Sequence, residues 1–256
     1  MYDPAILRVN PNVPENLRDS AQHLLAGYYA HCTALDQAMG DLLAAIEQEG
    51  LTDNTILVFT SDHGDMLLSR GMMKKQRPWD ESVRVPMLVR YPARLSPTEI
   101  NQPINTPDIL PTLLGLSGVG VPTSVEGTDL SMALAREEPY PKEAALIQAP
   151  VPFHQWKFQN GGKEYRAIRT ERYTYARDLK GPWLLYDDQQ DPYQINNLVE
   201  QQEYAGLQQE LDSVLQQKLR AINDEFLPAD EYMQRWNYRY DFEDSLRSPD
   251  YYSSRN

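Results

Sequence analysis

At 256 residues, with 24 Lys and Arg against 37 Asp and Glu, the chain carries a formal charge of −13. So acidic a surface repels phosphate backbones and anionic bilayers, which excludes nucleic acid and anionic membrane as natural partners. A single cysteine, Cys32, forbids an internal disulfide, no apolar run approaches the roughly 20 residues of a membrane span, and Met-Tyr-Asp-Pro-Ala at the N-terminus lacks a signal segment's basic and apolar regions.

Residues 1–14, with Pro4, Pro11 and Pro14, read as an extended lead-in. From Glu15 to about Glu49 apolar residues recur at positions 21, 24/25, 28, 32, 35, 39, 42/43 and 46, the period of a helix with one buried face. Cys32 falls on that stripe and is expected to be a buried, inert thiol. Gly50 is a natural stop just past the helix end.

Thr55-Ile56-Leu57-Val58-Phe59 is a short β-branched and aromatic run that predicts a buried, parallel strand. Its carboxyl end delivers Asp62 and His63 side by side, where open α/β sheets place ligands. A carboxylate oxygen and an imidazole nitrogen there can share one divalent cation. The bland alternative is an N-cap or a hydrogen-bonded loop pair, and Asp65 reads as a cap or a solvent-facing carboxylate. A polar loop over 61–82 comes next, then a second strand, Met87-Leu88-Val89-Arg90-Tyr91. An acidic chain that handles an anion concentrates its cations locally, so Lys74, Lys75 and Arg77 stand out. Lys75 is the candidate oxyanion clamp; Arg77 and Arg84 are expected to partner Asp80 or Glu81.

A short helix is expected over 107–116 and another near 129–136, completing a layered α/β region. From Glu143 the pattern changes to short strands at 144–148, 165–170, 173–177 and 183–186, separated by turns such as Asn160-Gly161-Gly162. That predicts a small antiparallel sheet. A helix over about 200–223 presents Leu207, Leu211, Val214/Leu215, Leu219 and Ile222 on one face. Domains are placed at 1–140 and 141–256. His154 and Trp156 are candidates for a pocket wall or for packing against the small sheet. The tail after Pro228 holds Tyr232, Trp236, Tyr238, Tyr240, Phe242, Tyr251 and Tyr252, too many aromatics for a disordered segment. It is expected to lie on the body, or to rim a cleft or subunit contact.

In order along nearly the whole chain, these segments resemble the C-terminal portion of the type I sulfatases, in the alkaline phosphatase superfamily. The stretch from Leu51 through Thr60-Ser61-Asp62-His63-Gly64-Asp65 is similar to that family's second metal-ligand motif. Gly71 through Lys75 with Trp79-Asp80-Glu81-Ser82-Val83-Arg84-Val85-Pro86 is similar to the segment bearing a sulfate-binding lysine. Asp108 to Leu114 resembles the family's next helix. Arg169 to Tyr175, and Leu185-Tyr186-Asp187 with Asp191-Pro192 and Asn197-Leu198, resemble its C-terminal subdomain. The resemblance implies part of an α/β/α sandwich with a small C-terminal subdomain of antiparallel sheet and helix. It implies sulfate-ester hydrolysis, with Asp62 and His63 on a divalent cation (calcium, or magnesium) and Lys75 on the sulfate. The substrate would be a sulfated small molecule or sulfated sugar.

The family nucleophile, a formylglycine, arises in Cys/Ser-x-Pro-x-Arg. Cys32 is followed by Thr33-Ala34-Leu35-Asp36, without the proline, and no serine fits. The chain therefore reads as a sulfatase entered partway through, with a missing N-terminal half or a homo-oligomer as its expected protein partner, and is expected not to turn over sulfate esters alone. Two other readings stay open: a phosphohydrolase or phosphotransferase of the same superfamily, and a non-catalytic sulfatase-like fragment.

Overall fold

Helix α1, Arg18–Gln48, begins after a 3-10 turn at Glu15–Leu17. It ends as Gly50 predicts. At φ +68° the Gly50 N–H reaches the Glu47 carbonyl at 3.0 Å, and the Leu51 N–H reaches that of Ile46 at 3.0 Å. Glycine adopts this left-handed backbone at no steric cost, so the last carbonyls are satisfied. The computed structural model describes residues 1–141, 143–240 and 246–247. Phe242, Tyr251 and Tyr252 of the aromatic tail, and the ring of Tyr240, lie outside the described residues.

The chain divides into two units: residues 1–74 with 84–142, and residues 75–83 with 143–256. In the first, β1 (Leu57–Thr60) pairs with β2 (Met87–Arg90), Leu57 opposite Arg90 and Thr60 opposite Met87. The pairing is antiparallel, which corrects the parallel strand expected from the apolar run. An apolar run marks a strand but not its direction. No helix long enough for a crossover lies between them, and the two successive strands return side by side in opposite senses. Burial is corrected too, for β1 is half-buried.

The stripe on α1 also fares differently from expectation. Of its residues only Ala21 is buried; Leu35 and Leu42 are about half exposed, at 51% and 49%. Cys32 is exposed, contrary to the buried thiol expected. Periodicity establishes an amphipathic helix, but its apolar face is buried only where a neighbouring element covers it. Helix α2 (Asp80–Val83) falls in the segment read as loop, and α3 (Thr106–Leu116) and α4 (Ser131–Leu134) match the short helices expected. Asp108 in the first turn caps α3 by reaching back to the Asn105 backbone N–H. Buried Asp108 accepts the N–H groups of Asn105 and Thr128, each at 2.8 Å.

The second unit is a four-stranded antiparallel meander of β3 (Ala144–Ala149), β4 (Tyr165–Thr170), β5 (Tyr173–Asp178) and β6 (Gly181–Asp187). Side chains alternate across it. On one face Ala144, Ile168, Tyr175 and Leu185 pack with Leu211, Leu215 and Leu219 of α5, Ala205–Ala221. Ile222, assigned to that stripe, is 49% exposed, because it caps the helix and leaves the helical phase. The opposite face, through Tyr165, Arg169 and Tyr186, takes residues 75–83. Helix α6 (Ala229–Arg235) comes next, and a short ladder joins β7 (Arg239–Tyr240) to β8 (Leu246–Arg247). Among the described residues no helix is long and apolar enough to cross a membrane.

The tail is tied down by one buried ion pair. Arg166 on β4 is forked against Asp224, Nη2 to Oδ1 at 3.0 Å, and the same guanidinium meets Tyr232 Oη of α6 at 3.1 Å. Burial opposes ionisation of Asp224, but bonds from Arg166 and Tyr232 outweigh it and bring the carboxyl down to about 2. Because the folded value lies below the unfolded one, this stabilisation is present at neutral pH and lost as pH falls from about 4 to about 2. Asp224→Ala leaves a buried guanidinium uncompensated and should lower stability by roughly 3–5 kcal/mol at pH 7. Urea unfolding should show this deficit in full at pH 7 and a smaller one at pH 2.5, where the part linked to ionisation is being lost.

Candidate functional site

The end of β1 turns sharply. The Ser61 hydroxyl donates to the His63 carbonyl at 2.9 Å, and Asp62 Oδ1 accepts the His63 backbone N–H at 3.0 Å. His63 Nδ1 lies 2.8 Å from the Gly64 carbonyl oxygen. A carbonyl only accepts, so Nδ1 carries the hydrogen and Nε2 is the nitrogen with a lone pair in the neutral ring. That Nε2 stands 3.3 Å from Asp62 Oδ2. Two acceptors so placed repel unless positive charge lies between them, either a proton or a divalent cation.

The pair fits a cation on two grounds. Atoms 3.3 Å apart can both reach one ion at the roughly 2.0–2.6 Å distances of divalent-metal ligation. A backbone carbonyl orienting the far ring nitrogen is also the usual support of a ligating histidine. The Asp62 side chain is 83% exposed. Among the described residues no cluster of three or more His, Cys, Asp and Glu side chains forms a metal site.

Asp65 closes the loop beyond the pair. Its Oδ1 accepts the N–H of Leu67 at 2.9 Å and of Lys74 at 3.0 Å, while Met66 N–H reaches the Lys74 carbonyl at 2.8 Å. It is a cap, as its position suggests. Met66 within the loop is fully buried. Leu67, Leu68, Arg70, Lys74 and Gln76 all have positive φ, between 41° and 73°. Non-glycine residues in this conformation cost on the order of 1–2 kcal/mol each, so the surroundings hold the loop in shape.

At Lys75 the chain enters the second unit, so the structure brings Asp62 and His63 together and assigns the candidate clamp to a different unit. Residues 75–83 form a strap across the sheet. Arg77 donates to the Lys75 and Gln155 carbonyls and stacks 5.2 Å over Trp156. Trp79, 6% exposed, donates to Tyr186 Oη at 3.3 Å and meets Trp183 edge-on at 6.0 Å. The Asp80 N–H reaches Gln194 Oε1 at 2.9 Å, and its carboxylate accepts from Arg169 at 3.1 Å.

Arg169 also pairs with Asp188 at 3.1 Å. One guanidinium thus serves two carboxylates. Asp188 further accepts from Thr174 at 2.8 Å and Gln194 at 2.7 Å. Burial, with Asp80 nearby, nevertheless pushes its carboxyl up to about 6 against the pull of Arg169. Nothing in the local sequence signals this cluster.

Beside the strap, a cavity of about 240 Å³ is lined by Gln76, Phe153, Trp156, Tyr165, Trp236 and Tyr238, among others. Trp156 forms part of its wall; His154, the other candidate, is exposed. Gly162 makes the Trp156 turn possible, since a Cβ there would collide with the Trp156 carbonyl oxygen. Of the tail, Tyr232 is buried, while Trp236 stacks on it at 4.9 Å and borders the cavity with Tyr238.

The family model described as N-sulphoglucosamine sulphohydrolase, C-terminal, matches residues 69–221, and that described as sulfatase matches 5–119. An ulvan-active sulfatase of Formosa agariphila is 45% identical over 245 residues, covering 93% of this chain and 47% of the relative. An endo-4-O-sulfatase of Bacteroides thetaiotaomicron is 36% identical, covering 75% and 40%. A solved structure from glycosaminoglycan metabolism by Bacteroides thetaiotaomicron superposes with TM-score 0.74 at 31% identity, covering 91% of this chain and 50% of that one. The chain therefore spans about half the length of the relatives it matches.

Asp188 yields a pH signature of opposite sign to that of Asp224. Its folded value lies above the unfolded one, so it favours the folded state fully below about pH 4 and loses that contribution as pH rises to about 6. Asp188→Asn should flatten this segment of the stability–pH curve, measured by urea midpoints from pH 4 to pH 7, while leaving the acid limb of Asp224 in place.

Proposed function

Because the chain belongs to the type I sulfatase family, of alkaline-phosphatase-like fold, and spans its C-terminal portion, we propose that it contributes to metal-dependent cleavage of a sulfate ester. In this reading residues 1–140 are the C-terminal part of the catalytic α/β domain and 141–256 the small subdomain. The substrate class is a sulfated saccharide of a polysaccharide such as ulvan, on which the relative at 45% identity acts by its name. The observation that carries the reading is the 3.3 Å approach of Asp62 Oδ2 to His63 Nε2 at the tip of β1.

Asp62 and His63 would hold the cation through those two atoms, with Gly64 fixing the imidazole tautomer. A bound divalent cation would supply positive charge to a sulfate oxygen and to a nucleophile. Lys75, carried on the strap, would hold the sulfate as a point charge. The pair offers one oxygen and one nitrogen, whereas calcium wants roughly 6–8 oxygens, so two ligands alone bind it weakly. With no Cys/Ser-x-Pro-x-Arg motif in these 256 residues, the chain alone should not turn over an aryl sulfate.

Titration calorimetry with ulvan oligosaccharides tests this. Binding in calcium should weaken about tenfold in EDTA, in Asp62→Ala and in Lys75→Ala, the loss of one charge-assisted contact. Unchanged affinity in all three would sink the reading. A preference for zinc or manganese over calcium and magnesium would turn it toward the phosphohydrolase branch. Turnover of 4-nitrophenyl sulfate that Asp62→Ala abolishes would overturn the expected inactivity.

A further inference from the structure

We propose that the aromatic cavity of the second unit is a binding subsite for one pyranose ring, with Gln76 accepting a hydrogen bond from a ring hydroxyl. It rests on the sulfated-saccharide reading and extends it, because no residue of this cavity belongs to the cation pair or to the sulfate clamp.

The walls are chemically matched to a sugar. Phe153, Trp156, Tyr165, Trp236 and Tyr238 surround about 240 Å³. That is below the roughly 300–1,000 Å³ of pockets for drug-sized ligands, so it takes a single ring and not an oligomer. A pyranose presents a face of C–H bonds, weakly positive, which suits the negative face of an aromatic ring. Trp236 and Tyr238, with centroids 6.2 Å apart, are 47% and 36% exposed. They form an open, half-wet edge through which the chain of a polysaccharide can continue.

Gln76 supplies the polar element. Its Oε1 is buried without a hydrogen-bond partner among the described residues, and the residue lines the cavity. A buried acceptor left unmade costs about 1–3 kcal/mol, and a hydroxyl donor entering the cavity would satisfy it. The backbone of Gln76 is held at φ +73°, and its carbonyl faces Tyr165 Oη at 3.5 Å. Gln76 also directly follows Lys75. A ring seated on the aromatic wall would therefore be read by the residue adjoining the one assigned to its sulfate.

Saturation-transfer NMR on the full 256-residue chain tests this with ulvan oligosaccharides and their chemically desulfated counterparts. Ring C–H protons of both probes should receive saturation. Trp236→Ala and Tyr238→Ala should each weaken binding of the desulfated probe about fivefold. Gln76→Leu, which keeps bulk and removes the acceptor, should weaken it about threefold. Circular dichroism checks folding; if Trp236→Ala unfolds, the exposed Tyr238 and the isosteric Gln76 change decide. A desulfated probe that fails to bind wild type, or binds every folded variant equally, overturns the inference. The two readings fail separately: the affinity gained by sulfation depends on Lys75 and the cation, so losing that gain while ring binding persists contradicts only the earlier one.

Discussion

The strap of residues 75–83 is the constraint on which the second unit, and the lysine it carries, depend. A four-stranded meander has two faces, and α5 covers only one. The other is covered by a segment that precedes β3 by some sixty residues of chain. Trp79 supplies apolar cover, and the Asp80–Arg169 pair fixes its position along the sheet. Breaking the ion pair would leave charge in a setting where one guanidinium already serves two carboxylates. Lys75 is thus placed by tertiary packing, while the residues just before it in sequence belong to the other unit.

The donor pair at the tip of β1 is placed by a different kind of force. Short-range hydrogen bonds from Ser61, Asp62 and Gly64 orient Asp62 and His63, and Asp65 closes the loop behind them. Leu67, Leu68, Arg70, Lys74 and Gln76, all with positive φ, come shortly after in the chain. Buried Met66 and the Asp65 bonds hold the loop there. Such strain persists where surrounding structure over-determines the backbone, and it collects at working sites.

What is legible in the sequence is whatever is encoded locally. Alternating apolar residues and the turns at Asn160-Gly161-Gly162 and Lys180-Gly181-Pro182 mark β3 to β6 within a few residues. The short helix α3 is legible for the same reason, since its proline-led first turn and its cap, Asn105 with Asp108, lie within a few positions of one another. Strand direction and depth of burial at Thr55–Phe59 are not legible, since an apolar run records neither the sense of its partner nor what covers its faces. Nor is the exposure of Cys32, because periodicity describes one helix and says nothing of its neighbours. The Arg169 cluster and the orphan oxygen of Gln76 are long-range facts that no local pattern records. For the site, the adjacency of Asp62 and His63 is plain in the sequence; the atoms that face one another, and the tautomer that makes them a donor pair, require coordinates.

The central claim is that His63 offers an unprotonated Nε2 toward Asp62, ready to share a cation. Nitrogen-15 NMR of the imidazole measures this directly. At pH 8 without metal, the Nδ1–H tautomer is expected, with Nε2 at a pyridine-type shift that moves on adding a divalent cation and stays put in Asp62→Ala. An Nε2–H tautomer, or an Nε2 resonance indifferent to the cation in the unmodified chain, would contradict it.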